Sequence, residues 1–300
     1  MEDRGYDFVR VKARGKINLG LDVIRKRDDG YHEVRMIMQQ VGLYDGIDIK
    51  RLGLCTDGNR YIDIETNLKY LPVNENNLAY KAAALLMDEY GIQESIFIKI
   101  RKLIPVAAGM AGGSADAAAV MKGLNKMFGL GLSTKELMER GVRLGADVPY
   151  CIMGGTALAE GIGDVLTPLK DMPPCYIVLA KPGINVSTKF VYGSLKLDEI
   201  KKHPDIDGLV QDIESQDLEG MSAKLGNVLE EVTEGMHPVI TEIKQKMMKH
   251  GALNAMMSGS GPTVFGLFPN EKEIRRAYEA LKQSGLAKNV YTSDIHNNRR

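Results

Sequence analysis

Residues Pro105 to Asp116 read Pro-Val-Ala-Ala-Gly-Met-Ala-Gly-Gly-Ser-Ala-Asp, a glycine-rich turn that runs straight into a helix. The first turn of a helix leaves backbone N–H groups unpaired at the positive end of its dipole. With no side chain at Gly109, Gly112 or Gly113, a phosphate can approach those groups closely. No Lys-Ser/Thr follows the last glycine, so the stretch is not a Walker A loop. Nor is its spacing that of the Gly-x-Gly-x-x-Gly dinucleotide fingerprint. It reads as a phosphate cradle of a third kind, set between a strand and a helix.

Outward from this loop, Ile96–Ile100 alternates as the preceding strand, and an Ala-rich helix is expected from about Ser114 to Phe128. The first hundred residues read as strand-rich: Val9–Ala13, Ile17–Val23, Ile47–Ile49 and Tyr61–Ile64, with a turn at Arg27-Asp28-Asp29-Gly30. Asn77 caps a helix running to about Tyr90, and Ser133-Thr134-Lys135-Glu136 is a capping box opening a helix that ends near Gly145. Strands are expected at Tyr150–Met153 and Thr156–Glu160. The prolines at 168, 173 and 174 mark a linker, giving domains 1–167 and 168–300. Beyond it a strand at Tyr176–Ala180, helices including His237–His250 and Glu271–Ser284, and strands at Ala252–Met257, Thr263–Phe268 and Val290–Ser293 make a compact α+β domain.

Composition narrows the function classes. Lys plus Arg equals Asp plus Glu at 39 each, so no global basic charge serves nucleic acid or an anionic membrane. No apolar run approaches a bilayer span, and Met1–Gly5 is polar, unlike a signal peptide. Cys55, Cys151 and Cys175 are widely spaced and read as free thiols, and the histidines show no metal-ligand spacing. The expectation is a cytoplasmic protein with no metal site of its own, any metal arriving with a ligand.

Several residues outside the loop stand out, each with two readings. Lys16 and Asn18 share one face of the strand Gly15–Leu21; they form either a solvated strand face or a polar pair with a chemical task. Asp147, in Gly145-Ala146-Asp147-Val148-Pro149, is either a turn aspartate before proline or a carboxylate held at a helix–strand junction as a base or an orienting group. Gly30-Tyr31-His32 offers a stacking ring and a hydrogen-bonding ring, or a packed turn. Ser258-Gly259-Ser260-Gly261-Pro262-Thr263 is a flexible turn between strands or a second anion-contacting loop.

Together these pieces resemble the GHMP kinases, the family of galactokinase, homoserine kinase, mevalonate kinase and phosphomevalonate kinase. The resemblance rests on Lys16-Ile17-Asn18-Leu19, Asp29-Gly30-Tyr31-His32, Gly109-Met110-Ala111-Gly112-Gly113-Ser114, Gly145-Ala146-Asp147-Val148-Pro149 and the late Gly-Ser-Gly loop, in order from Lys16 to Phe268. It implies a two-domain GHMP kinase fold, with an N-terminal domain like ribosomal protein S5 domain 2 and a ferredoxin-like C-terminal domain. It is strongest with members that phosphorylate a cytidine-diphosphate-linked methylerythritol in isoprenoid synthesis; homoserine and mevalonate types are the alternative.

The roles that follow are what this resemblance implies. Asp147 is the general base toward the acceptor hydroxyl, and Lys16 stabilises the transferring phosphoryl. The loop of Pro105, Val106, Ala107, Ala108, Gly109, Met110, Ala111, Gly112, Gly113, Ser114 and Ala115 wraps the phosphates of ATP, with Mg2+ bound alongside. Tyr31 stacks on cytosine and His32 bonds its edge. Thr188 lies nearby, and either Tyr192 or Phe190 supplies the second stacking ring. Asn18 contacts the methylerythritol hydroxyls. The partner is a small molecule bearing a cytidine diphosphate group, and the chain works as a monomer or homodimer. Against the family pattern, Met110 stands for Leu, Ala111 for Gly, Ala115 for Ser and Gly15 for Ala. A methyl at position 111 is expected to require a negative φ there.

Overall fold

Alternating apolar residues carry two long strands, β1 (Phe8–Lys26) and β2 (His32–Gly53), joined by the Arg27–Gly30 turn. A computed structural model describes residues 6–297; the polar stretch Met1–Gly5 lies outside the described residues. By contacts the chain divides into two units. The first holds the residues up to Gly15, Leu43–Ile104 and Ala111–Met153; the second holds Lys16–Gly42, Pro105–Met110 and the chain from Gly154 onward. Both long strands, and the glycine-rich loop, therefore contribute residues to each unit.

In the first unit, β3 (Ile62–Thr66) pairs in parallel with β4 (Ser95–Arg101), and β4 pairs antiparallel with the second half of β2. Ile47 lies opposite Ile100 and Ile49 opposite Ile98, all four buried, each removing roughly 1.5–3 kcal/mol worth of apolar surface from water. Helix α1 (Leu78–Glu89) starts at Asn77, whose side chain accepts the Ala79 N–H as expected. Helix α2 (Gly112–Met127) packs against α1. Its alanines and Gly123 permit close approach: a Cβ at Gly123 would meet Ile49 Cδ1 at 2.5 Å. Helix α3 (Thr134–Gly141) opens with the Ser133–Glu136 capping box.

The stretch expected as a strand at Tyr150–Met153 is instead helix α4 (Asp147–Met153), packed against α2 and α3. Pro149 falls in its first turn, where a missing N–H costs nothing. A short apolar run buried on all sides has no periodicity to separate helix from strand. Helix α2 begins two residues ahead of the expected Ser114, because glycines carry its first turn.

In the second unit, β2 at Met36–Gln39 pairs with β5 (Thr156–Glu160), which pairs with β6 (Val165–Pro168). The strand expected at Tyr176 is β7 (Tyr176–Lys181). Then follow α5 (Thr188–Ser194), α6 (Ile206–Ser215), α7 (Leu218–Ala223), the two-residue strand β8 (Gly226–Asn227), α8 (Glu230–Met236) and α9 (Val239–Lys249). The chain closes with β9 (Asn254–Met257), β10 (Val264–Phe268), α10 (Glu271–Ser284) and β11 (Asn289–Asp294). Here β7, β9, β10 and β11 form an antiparallel sheet in the order β11-β7-β10-β9, with α9 on β9 and β10, and α10 on β7 and β11. That order is ferredoxin-like. Gly20 lets α6 lie against β1: a Cβ there would meet Ile206 and Leu209 within 2.7 Å. No helix among the described residues is long and apolar enough to cross a membrane.

Candidate active site

Lys16 and Asn18 lie on the second-unit part of β1, where the strand is buried without interruption from Gly15 to Val23. Lys16 is 5% exposed and Asn18 fully buried, which removes the reading of a solvated strand face. The Lys16 ammonium donates to Asn18 Oδ1 at 2.8 Å, and Asn18 Nδ2 donates to Met36 Sδ at 3.1 Å. A buried ammonium whose hydrogen-bond partner among the described residues is a neutral amide is undercompensated. An anionic ligand group fits it.

The same unit holds Pro105–Met110. Lys16 N–H donates to Met110 C=O at 3.1 Å, fastening this part of the loop to β1. Ser258 Oγ donates to Gly109 C=O at 2.9 Å, fastening it also to the second glycine-rich loop. Asn227 Nδ2 in turn donates to Met257 C=O and Gly259 C=O, and Glu230 Oε1 accepts the Met257 N–H. Ser260 Oγ and Thr188 Oγ1 share a hydrogen bond of 2.8 Å, while Thr263 Oγ1 is buried without a partner. The Ser258–Thr263 loop is thus held by the protein, and the hydroxyls of Ser258 and Ser260 already have protein partners. Asn227 and Glu230 carried no local signal in sequence; they act through backbone atoms on a loop about thirty residues downstream.

Tyr31 is 59% exposed at the end of the hairpin turn. His32, half-buried at the start of β2, packs its ring on Tyr192 of α5 at 5.2 Å between centroids and 42° between planes. Phe190 is 56% exposed, so of the two rings after Thr188 it is Tyr192 that meets His32. Burial, helped by nearby Lys26, pushes the His32 imidazole below its usual pKa and favours the neutral ring.

The first unit carries Ala111–Ala115, Lys102 and Asp147. Gly112 opens α2, with Ala111 as N-cap and no side-chain cap bond. The N–H groups of the first turn are left for a ligand, and no acidic residue stands in that turn. The expected negative φ at Ala111 is overturned: it adopts φ 54°, ψ 32°, left-handed. The chain must reverse here to enter the helix, and alanine is small enough to tolerate a conformation that glycine takes freely. Ala107 also has a positive φ, of 50°.

Just before the loop, Lys102 Nζ bridges Asp45 Oδ2 at 2.5 Å and Asp116 Oδ2 at 2.6 Å. Burial pushes the Asp116 carboxyl up to about 8 against the pull of Lys102. For Lys102, burial is outweighed by Asp116 and Asp45, and its pKa stands above the usual value. Sequence inspection missed this cluster, since its members are up to 71 positions apart, from Asp45 to Asp116. Asp147 is the first residue of α4, not a turn residue past a helix end. A carboxylate in a helical first turn is favoured by the dipole. Tyr150, one turn on, is wholly buried, and burial raises its phenol well above the usual pKa. Cys151 and Cys175 are buried and Cys55 half-buried, none of them in a disulfide, with burial pushing Cys175 up to about 12.

Comparison with known proteins gives the family. The model of the GHMP kinases N terminal domain matches residues 77–155, and that of the GHMP kinases C terminal domain matches 209–287. The chain is 54% identical over 288 residues to the 4-diphosphocytidyl-2-C-methyl-D-erythritol kinase of Lachnospira eligens, covering 96% of this chain and 98% of that one. It is 55% identical over 285 residues to the kinase of the same name from Lachnoclostridium phytofermentans, covering 95% and 96%. A crystal structure of 4-(cytidine 5'-diphospho)-2C-methyl-D-erythritol kinase superposes with a TM-score of 0.82 at 29% identity, over 97% of this chain and all of that one. With a family model on each half and relatives more than half identical along nearly its whole length, this chain belongs to the GHMP kinases.

Proposed function

We propose that the chain transfers the γ-phosphoryl group of ATP to the tertiary 2-hydroxyl of 4-diphosphocytidyl-2-C-methyl-D-erythritol, a step of the non-mevalonate isoprenoid route. The observation that carries this reading is the 54% identity over 288 residues to a kinase of that name. The geometry of the second unit supports the acceptor: a neutral imidazole packed on Tyr192 beside the exposed Tyr31 suits a cytosine ring. Such a pair has no task on homoserine or mevalonate.

The roles divide by chemistry. Asp147 accepts the proton of the acceptor hydroxyl as its oxygen bonds to the γ-phosphorus, the bond from the γ-phosphorus to the β–γ bridging oxygen breaks, and ADP departs. Phosphoryl transfer needs positioning and charge stabilisation more than covalent chemistry. Lys16 is the cation for the charge on the transferring group. Asn18, held by Lys16 and Met36, faces the methylerythritol hydroxyls, and Thr188 is fixed by Ser260 at the start of α5. The loop from Pro105 to Ala115 wraps the ATP phosphates, which accept from its unpaired backbone N–H groups; the uncapped first turn of α2 fits that task. Mg2+, arriving with ATP, supplies neutralising charge on the phosphates. The domains are taken as 1–167 and 168–300, a division that falls in the span between the two family models and just before the last residue of β6. The enzyme acts in the cytoplasm on a small molecule, as a monomer or homodimer, and not on nucleic acid or a membrane.

A coupled ADP-release assay across three acceptors tests the reading. Turnover is expected with the cytidylyl alcohol alone. Turnover with homoserine or mevalonate, and none with the cytidylyl alcohol, rejects it.

A further inference from the structure

Both flanks of the glycine-rich loop meet at one buried charge cluster. Lys102, Leu103 and Ile104 lead into the loop, and α2 leads out of it. Asp45, on β2, accepts the backbone N–H of Leu103 at 2.5 Å and of Ile104 at 2.8 Å through Oδ1. Its Oδ2 takes the Lys102 ammonium, which also reaches Asp116 Oδ2 on α2. The three side chains are 0%, 4% and 6% exposed for Asp45, Lys102 and Asp116. Asp116 lies one turn after Gly112, on the same helical face. At Gly112 a Cβ would meet Ile104 Cγ2 at 3.1 Å and Lys102 Nζ at 3.3 Å. The entering strand end and the first residue of the helix are thus pressed together, with the ammonium between them.

We propose that Lys102, Asp45 and Asp116 are positioning residues that clamp the entry and exit of the phosphate loop and thereby set its affinity for the phosphates of ATP. A buried ion cluster is a poor source of stability by itself, because desolvation offsets the attraction. It does specify geometry: an ammonium bound by two carboxylates fixes both carboxylates to within hydrogen-bond length. One of them holds two consecutive backbone N–H groups before the loop, and the other rides on the helix whose first turn follows it. Free N–H groups bind phosphate well only if their directions are set beforehand. The remaining oxygen of Asp116, Oδ1, is buried without a hydrogen-bond partner. A full second charge there is unfavourable, and burial pushes this carboxyl up to about 8. What the clamp needs at position 116 is therefore an acceptor toward Lys102, more than a charge, and asparagine supplies one.

The proposal rests on the kinase reading only in that the loop holds ATP, so it is tested on nucleotide binding without an acceptor. A non-hydrolysable ATP analogue is titrated calorimetrically into the full chain, with KM for ATP and for the acceptor measured in parallel. Lys102→Met and Asp116→Ala are expected to weaken the analogue about tenfold, with the acceptor KM within about twofold of the starting enzyme. Asp116→Asn is expected to recover most of the lost affinity. Where Asp116→Ala or Lys102→Met does not fold, Asp45→Asn carries the test and is expected to weaken the analogue in the same direction. Unchanged analogue affinity in the variants that fold, or equal losses for ATP and acceptor, overturns the clamp. So does an Asp116→Asn variant no better than Asp116→Ala. A failure of the acceptor assay leaves these outcomes readable, because analogue binding does not depend on which alcohol is phosphorylated.

Discussion

Ser258 Oγ donates a hydrogen bond of 2.9 Å to the carbonyl of Gly109, joining two glycine-rich loops that lie 149 positions apart. The approach is closer than any side chain allows. A Cβ on Gly109 would stand 2.1 Å from Ser258 O, a backbone atom, and Gly109 has φ 73°. Gly109→Ala is therefore expected to destabilise the fold by about 2 kcal/mol or more, combining left-handed strain with displacement of the second loop. Ser258→Ala removes one hydrogen bond and is expected to cost about 1 kcal/mol. Urea unfolding of the two variants checks the order; a Gly109→Ala protein as stable as Ser258→Ala contradicts it.

Asp147 opens α4, and its side chain makes no hydrogen bond or ion pair among the described residues, so its removal is expected to spare the fold. Asp147→Ala is expected to lower kcat by roughly a hundred- to ten-thousandfold with little change in Tm. An enzyme retaining most of its kcat rules Asp147 out as the base.

Lys16 is buried beside Asn18. Lys16→Met keeps the length of the side chain and removes the cation. The expected result is a loss of about a hundred- to thousandfold in kcat, with stability held or raised because a buried charge is gone. Steady-state kinetics and thermal unfolding, run together, separate the two effects.

Ala111 adopts φ 54°. Ala111→Gly relieves left-handed strain of about 1 kcal/mol but adds freedom to the unfolded chain of about the same size. The net change in stability is expected to lie within about 1 kcal/mol of zero, and ATP affinity is expected to hold. A large loss of stability would mean that the methyl itself is packed.

His32 is held below its usual pKa, first by burial and then by Lys26. The neutral ring is therefore present throughout the range above the ordinary histidine value of 6.5. As pH falls below that value the unfolded chain takes up the proton first, so the contribution of His32 to stability declines toward acid. With His32 as the proposed contact to the cytidylyl group, KM for the acceptor is expected to be flat above neutrality and to rise in acid. His32→Gln should flatten that acid limb. A limb unchanged in His32→Gln assigns it to another group.

Much of this was legible along the chain because the signals are local. The capping box at Ser133, the cap at Asn77, the hairpin turn at Asp29-Gly30 and the glycine loop before an Ala-rich helix each depend on residues within a few positions of one another. The strands near Tyr176, Ala252–Met257, Thr263–Phe268 and Val290–Ser293 and the helices near His237–His250 and Glu271–Ser284 were readable by the same rule, whereas the two-residue strand β8 was not. Tyr150–Met153 was not, because an apolar run buried on every side satisfies helix and strand alike.

The sequence by itself determined the family and singled out the glycine-rich loop, Lys16, Asp147, Tyr31 and His32 as candidates, since these are motifs of residue type and short spacing. Only the tertiary structure decided what those motifs rest on. The left-handed turn at Ala111, the choice of Tyr192 over Phe190 against His32, the Ser258–Gly109 bond and the Lys102–Asp45–Asp116 cluster all depend on contacts between distant segments. A carboxylate reads the same in sequence whether it meets water or a buried ammonium; desolvation and packing give it its task, and these exist only once the chain has folded.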